Sequence, residues 1–167
     1  YKGWSYRTFK NVTPGDLYEQ LIEKVKEQTE KHHFKTVTFL WMQGERDARE
    51  DFAVHYEEAF KGIIAQLEED LGRNDIQVVI GRLSDYGNDK PEDRPYWMML
   101  RELQVAMAEG IEYGAWVNTD DLNDGINHYG KAIQNDLHYS VEGYKLFGER
   151  LAEAAIGLIE LRAAARH

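Results

Sequence analysis

The chain of 167 residues carries 20 Lys and Arg against 30 Asp and Glu, a formal net charge of -10, with 43% apolar and 12% aromatic residues. That is enough for one domain-sized core and too rich for disorder, no apolar run approaches the roughly 18 residues that span a bilayer, and the acidic excess repels nucleic-acid phosphates with no Lys/Arg stripe to offset it. The absence of cysteine excludes disulfides, thiolate nucleophiles and cysteine-ligated zinc.

Thr13-Pro14-Gly15-Asp16 supplies an N-cap, a proline at the first helical position and an early acid, and Leu17, Leu21 and Val25 then recur every four residues. A helix is predicted to about His32, with His32 and His33 in a solvated turn. Residues 35–41 (KTVTFLW) are β-branched and aromatic and predict a short strand buried on both faces. At its carboxyl end stands WMQGERDA, residues 41–48, which gathers an amide, a glycine and two acids. Two readings stay open there. Gln43 and Gly44 make a turn while Glu45, Arg46 and Asp47 open a helix, or the cluster lies where a parallel sheet binds and reacts with ligands.

Phe52, Tyr56, Ala59, Ile63 and Leu67 keep helical spacing up to Gly72, and His55 falls near the apolar face as a packing residue. Residues 76–83 (IQVVIGRL) are the next strand. The loop SDYGNDKPEDR leads to Pro95 and a helix whose Met99, Leu100, Leu103 and Met107 share a face until Gly110. Residues 112–117 (EYGAWV) form another strand, followed by the acidic loop TDDLNDGINHYGKAIQND. Ser140 then caps a last helix carrying Tyr144, Phe147, Leu151, Ala155 and Leu158 on one side. Three strands interleaved with four helices, with no repeat or linker, predict a single α/β domain, a three-layer α/β/α sandwich on an open parallel sheet.

A second polar cluster, NDLHYSVEGYKLFGERLA at 135–152, places Asp136 and His138 just before the last helix. His138 can be a solvated helix-start residue or a base, and Asp136 can complement the helix dipole or orient that base. Asp120, Asp121, Asn123 and Asp124 crowd one loop, but the twelve-residue calcium pattern is incomplete and lacks its final Glu. That loop is expected to border a cleft, and no metal or other cofactor is called for. Tyr86, Tyr96, Trp97 and Tyr129 flank the strand-end loops, where they can stack on sugar faces or, for Tyr96 and Trp97, join the core.

At its two polar clusters the sequence resembles the SGNH-type carbohydrate esterases that include sialate O-acetylesterases and acetyl xylan esterases. WMQGERDA is similar to the family's W-x-Q-G-E-S-D block, and NDLHYSVEGYKLFGERLA, in the proper order, to its C-terminal Asp/His block and G-x-R-L-A helix. The resemblance implies a flavodoxin-like SGNH fold and hydrolysis of acetyl esters on sugars by a serine nucleophile, a histidine base, an orienting acid and oxyanion donors. By motif, His138 is the base, Gln43 through its amide and Gly44 through its backbone form the oxyanion hole, and Glu45 anchors the loop. The family often places its acid three residues before the histidine, where this chain has Asn135. Asp136, two before, is therefore the first choice for the acid, then Glu45, with a neutral Asn135 able only to position the ring. Arg46 replaces the family's serine and is assigned no role.

The family's nucleophile lies in a G-Q-S-N block after its first strand, and the chain holds only Ser5, Ser84 and Ser140, none in that context. The sequence opens at Tyr1 and shows no signal peptide. The expectation is that these residues are the C-terminal part of one esterase domain whose serine comes from an upstream segment, in the same chain or in an N-terminal fragment that partners it. The resemblance also implies an acetylated carbohydrate as substrate and a secreted or periplasmic location. Two other readings stand beside it: a catalytically inactive relative that binds carbohydrate, and a plain flavodoxin-like interaction domain.

Overall fold

The computed structural model describes residues 16–30, 32–49 and 52–165, which form two compact units: Tyr1–Val37 with Glu57–Ile76, and Thr38–Tyr56 with Gln77–His167. The Thr13-Pro14 cap, Ser5 and the ends of the chain lie outside the described residues.

The first unit holds helix α1, Asp16–Thr29, and all but the first residue of a second long helix, Tyr56–Leu71. Tyr18 and Ile22 are buried on α1, and Phe60, Ile63 and Leu67 on the longer helix, the three- and four-residue spacing of an amphipathic face. Asp70 ties the two together, accepting from Tyr18 Oη at 2.7 Å and from Lys26 Nζ at 3.0 Å. Burial, and secondarily that carboxylate, push the Tyr18 phenol above its ordinary pKa. His32 and His33 are exposed, as predicted.

The second unit contains the sheet. Strands β1 (Thr38–Trp41), β2 (Gln77–Gly81) and β3 (Gly114–Val117) run parallel in the order β1-β2-β3, with Thr38 opposite Gln77 and Val78 opposite Gly114. Every residue of the central β2 is buried. Between β1 and the long helix lie a short helix α2, Glu45–Arg49, and a 3-10 turn at Ala53–His55, so the long helix is α3. Helix α4, Pro95–Glu109, follows β2, and α5, Val141–Ala164, ends the described chain. Val79 of β2 and Val117 of β3 pack with Leu122, Tyr139, Phe147 and Leu158 on the α5 side. Side chains alternate along a strand, so Val78 and Ile80 face the opposite way, and α4 also packs on β2 and β3. Helix, sheet and helix give the three layers the strand pattern implied.

Several local expectations need correction. β1 starts at Thr38, not Lys35, and is not buried on both faces: Leu40 is 47% exposed. Within this unit α4 and α5 lie over β2 and β3, which leaves part of the edge strand uncovered. Phe52 and His55 are exposed and belong to no helical face, because the 3-10 turn before Tyr56 breaks the 100° phase on which their inclusion rested. Met99 is also exposed, as is Tyr144 on α5, which the periodicity placed on the packed side; the buried face of α4 is Trp97, Leu100, Arg101, Gln104, Met107 and Ala108. A two-stranded hairpin, β4 (Gly125–Ile126) with β5 (Ala132–Ile133), interrupts the acidic loop. Its strands are too short to show alternation, and Asn127 Oδ1 closes its turn by accepting the N–H groups of Tyr129 and Lys131.

Candidate active site

Parallel strands deliver three chain segments to the same sheet edge: Met42, Gln43 and Gly44 after β1, Arg82 to Asp85 after β2, and Asn118 to Asp120 after β3. The segment before α5 joins them there. Tyr139 is buried and places its hydroxyl 3.7 Å from Met42 Sδ and 3.5 Å from the Arg82 carbonyl. Burial raises its pKa, the Glu45 carboxylate adds to the rise and Arg101 opposes it.

Gln43 and Gly44 form the turn and Glu45 and Asp47 open α2, as the first reading of WMQGERDA expects, and the turn is at the strand ends. The Gln43 carbonyl accepts two hydrogen bonds, from Tyr56 Oη at 2.7 Å and from Gln104 Nε2 at 2.9 Å. Its side-chain Nε2 donates to Asp47 Oδ2 at 2.5 Å, which leaves one N–H of that amide uncommitted. Gly44 is buried at φ +140°, and a Cβ there would meet Leu100 Cδ2 at 2.5 Å, so no side chain fits. Glu45 is half-buried.

His138 is prominent, its side chain 73% exposed. Asp136 Oδ1 accepts the backbone N–H of His138 at 2.8 Å and stands 3.6 Å from the ring Nδ1, beyond hydrogen-bond range. The carboxylate thus shapes the backbone of the loop first and reaches the ring only as a neighbouring charge. Asn135 adopts φ +46°, donates its N–H to Asp124 Oδ1 at 2.6 Å, and has its own Oδ1 buried without a partner. Among the described residues no hydrogen bond or ion pair joins the His138 ring to Gln43, Gly44 or Glu45; the two clusters meet through Tyr139 and Met42.

The segment carrying His138 runs along Leu122 to Asp124. Ser140 N donates to the Leu122 carbonyl at 2.9 Å, Asp136 N to the Asn123 carbonyl at 3.3 Å, and buried Asn123 donates to both the Asp136 carbonyl, at 3.0 Å, and Asp85 Oδ1, at 2.9 Å. Ser140 caps α5 as predicted, accepting from Gly143 N at 3.0 Å. Gly143 is required by contact, since a Cβ would fall 2.0 Å from the Leu122 oxygen.

The acids of the loop before β4 serve structure. Asp120 lies between Arg82 and Arg101, at 2.6 and 2.9 Å, and Asp121 forms a bidentate pair with Arg150 of α5. Of the aromatic residues offered as sugar platforms, Trp97 is core, donating its indole N–H to the Ser84 carbonyl, and Tyr86 is covered by the Arg94 guanidinium at 4.0 Å. Tyr129 is 75% exposed at the hairpin turn, its ring against His128. Ser84 is 2% exposed with Oγ unpartnered, and Ser140 is 3% exposed.

Sequence reasoning missed Arg101, Gln104 and Tyr139, read Tyr56 only as a packing residue of a helix, and placed Asn123 in the loop bordering the cleft without its partners. Arg101 and Gln104 did leave a signal: they fall one and four residues after Leu100, on the stripe that α4 buries. Polar residues on a buried stripe must find partners, and at a strand end those partners are loop backbone groups.

The family described as "Carbohydrate esterase, sialic acid-specific acetylesterase" matches residues 2–157. The chain belongs to that carbohydrate esterase family. Comparison with the curated proteins and with the solved structures gives no match. Family membership supports an esterase acting on acetylated carbohydrate and agrees with the α/β architecture of parallel strands and flanking helices. Among the described residues, no helix is long and apolar enough to cross a membrane.

Proposed function

We propose that this chain supplies the base and the oxyanion donors of an O-acetylesterase acting on sugar esters of the sialate or xylan type, by serine, histidine and acid catalysis. The observation that carries the reading is the turn Gln43-Gly44, at a strand end within the stretch that resembles the family's W-x-Q-G-E-S-D block, linked through Met42 and Tyr139 to the segment that bears His138. An acyl-transfer site needs a base open to solvent and substrate and N–H donors aimed at the developing oxyanion. In this reading His138 takes the proton from the nucleophilic hydroxyl and returns it to the departing sugar oxygen. The uncommitted N–H of Gln43 and the backbone N–H of Gly44 hold the oxyanion. Asp136 stabilises the imidazolium, and Glu45 supports the turn.

The nucleophile comes from outside the described residues, because Ser140 is committed to capping α5 and Ser84 is enclosed beneath the strand ends. A preceding segment of the same domain, or a separate N-terminal fragment, is the source this reading favours, together with export from the cell as in the family it resembles. The same enclosure of both serines also favours a second reading, an inactive relative that binds acetylated sugar.

p-Nitrophenyl acetate and an O-acetylated sugar, assayed with the full-length natural protein, separate the two. Activity that His138→Ala lowers by at least about 1000-fold, while Ser84→Ala leaves it within about threefold, supports the esterase. Sugar binding without turnover supports the second reading, and turnover indifferent to His138→Ala sinks the first.

A further inference from the structure

The Gln43-Gly44 peptide is gripped from one side only. Its carbonyl receives Tyr56 Oη at 2.7 Å and Gln104 Nε2 at 2.9 Å. Both donors are rooted in the interior: Tyr56 is 3% exposed, takes the Trp41 indole N–H at 2.8 Å and contacts Gln104 at 3.2 Å, while Gln104 is wholly buried and accepts Leu83 N–H on Oε1 at 2.8 Å. One glutamine of α4 therefore joins the end of β1 to the end of β2 with every part of its amide in use. No cis peptide occurs among the described residues, so the carbonyl of residue 43 and the N–H of residue 44 point in opposite directions. Clamping the oxygen inward turns the Gly44 N–H away from Tyr56 and Gln104. Among the described residues no hydrogen bond uses that N–H, although Gly44 is buried and its own carbonyl is taken by Ala48 N at 2.9 Å. Unclaimed buried backbone donors are rare in folded proteins, and one held in a fixed direction at a strand end is what an oxyanion requires.

We infer that Gln104 and Tyr56 are positioning residues: by fixing the Gln43 carbonyl they aim the Gly44 N–H at the ester oxygen that becomes negative during acyl transfer. The inference rests on the esterase reading above and deepens it. Neither residue touches substrate. Gln104→Glu keeps an acceptor for Leu83 N–H but replaces the donor facing Gln43 with a second oxygen, and Tyr56→Phe removes the other donor with little change in volume.

The test compares p-nitrophenyl acetate with p-nitrophenyl thionoacetate, whose developing thiolate accepts hydrogen bonds weakly and so gains little from an oxyanion hole. Folding of each variant is checked by near-UV circular dichroism. In the unaltered protein the acetate is expected to be the better substrate. In Gln104→Glu and in Tyr56→Phe, kcat on the acetate is expected to fall about 10- to 100-fold with KM within about threefold, the size of a displaced rather than deleted donor. The acetate-to-thionoacetate ratio of kcat/KM is expected to fall with it, by about tenfold. A folded variant that slows both substrates equally, or neither, overturns the inference while leaving the esterase reading intact. Turnover that survives His138→Ala removes the esterase reading, and the positioning role with it.

Discussion

The two arms that meet at the strand ends are held by different means. The turn at Gln43 and Gly44 is fixed by side chains from elsewhere in the chain, Tyr56 and Gln104, both buried. The segment bearing His138 is fixed by backbone and side-chain hydrogen bonds to one preceding stretch of loop, Leu122 to Asp124, and it leaves the ring 73% exposed. The contrast fits the two tasks. A hydrogen-bond donor for an oxyanion gains from being immobile before the reaction, whereas a base must reach a hydroxyl on one side and a leaving group on the other.

The largest expected effect is on the exposed arm. His138→Ala is expected to cut turnover by at least about 1000-fold with no loss of thermal stability, because a ring so exposed contributes little to packing; a matching fall in Tm would break the contrast. Next come the two glycines. Gly44→Ala drives a methyl into Leu100 at a positive φ, and Gly143→Ala drives one into the Leu122 backbone, so each is expected to cost about 3 kcal/mol in urea unfolding. If Gly143→Ala were neutral, the backbone tie between α5 and residue 122 would be wrong.

Asn123→Ala leaves the Asp136 carbonyl and Asp85 without their buried donor, and is expected to cost about 1–3 kcal/mol and to lower kcat more than it alters KM. Its acetate-to-thionoacetate ratio should stay unchanged, since the histidine arm moves and the donor arm does not. That result separates Asn123 from Gln104. The smallest effect concerns Asp121, whose carboxyl is held below its ordinary pKa first by hydrogen bonding to Arg150. A depressed pKa contributes stability above the unfolded carboxylate value near 4 and loses it as the pH falls through the folded value. Asp121→Asn should therefore flatten the decline of Tm below about pH 4. Asp121 is 57% exposed, so solvent screening keeps the difference under about 1 kcal/mol.

Much of this architecture was legible in the residues. Runs such as IQVVIGRL report burial and the recurrences of α1 and α5 report a helical face, which depends on local geometry alone, although Leu17, Leu21 and Val25 are only half-buried beside Tyr18 and Ile22 and Tyr144 is exposed. The Ser140 cap was readable for the same reason, because its partner is three residues away. Phe52 and Met99 misled because apolar identity was taken for a place on the buried face, and a 3-10 turn or a shift of one position along the helix is enough to rotate a residue outward. The candidate site residues were named by motif, yet their partners were not. Asp136 was expected to serve the His138 ring, and its close bond is to the backbone.

Local sequence determined the order of the long helices and the three sheet strands, the parallel sense of those strands, and the two polar clusters that flank their ends. Tertiary structure alone decided that Gln104 reaches Gln43 across 61 positions, that Asn123 joins Asp85 to the histidine segment, and that Asp120 sits between two arginines. The physical reason is the reach of each signal. Periodicity and capping are recorded within a few neighbours, whereas a buried polar side chain records only that it needs a partner, and the packing of distant elements determines which group meets that need.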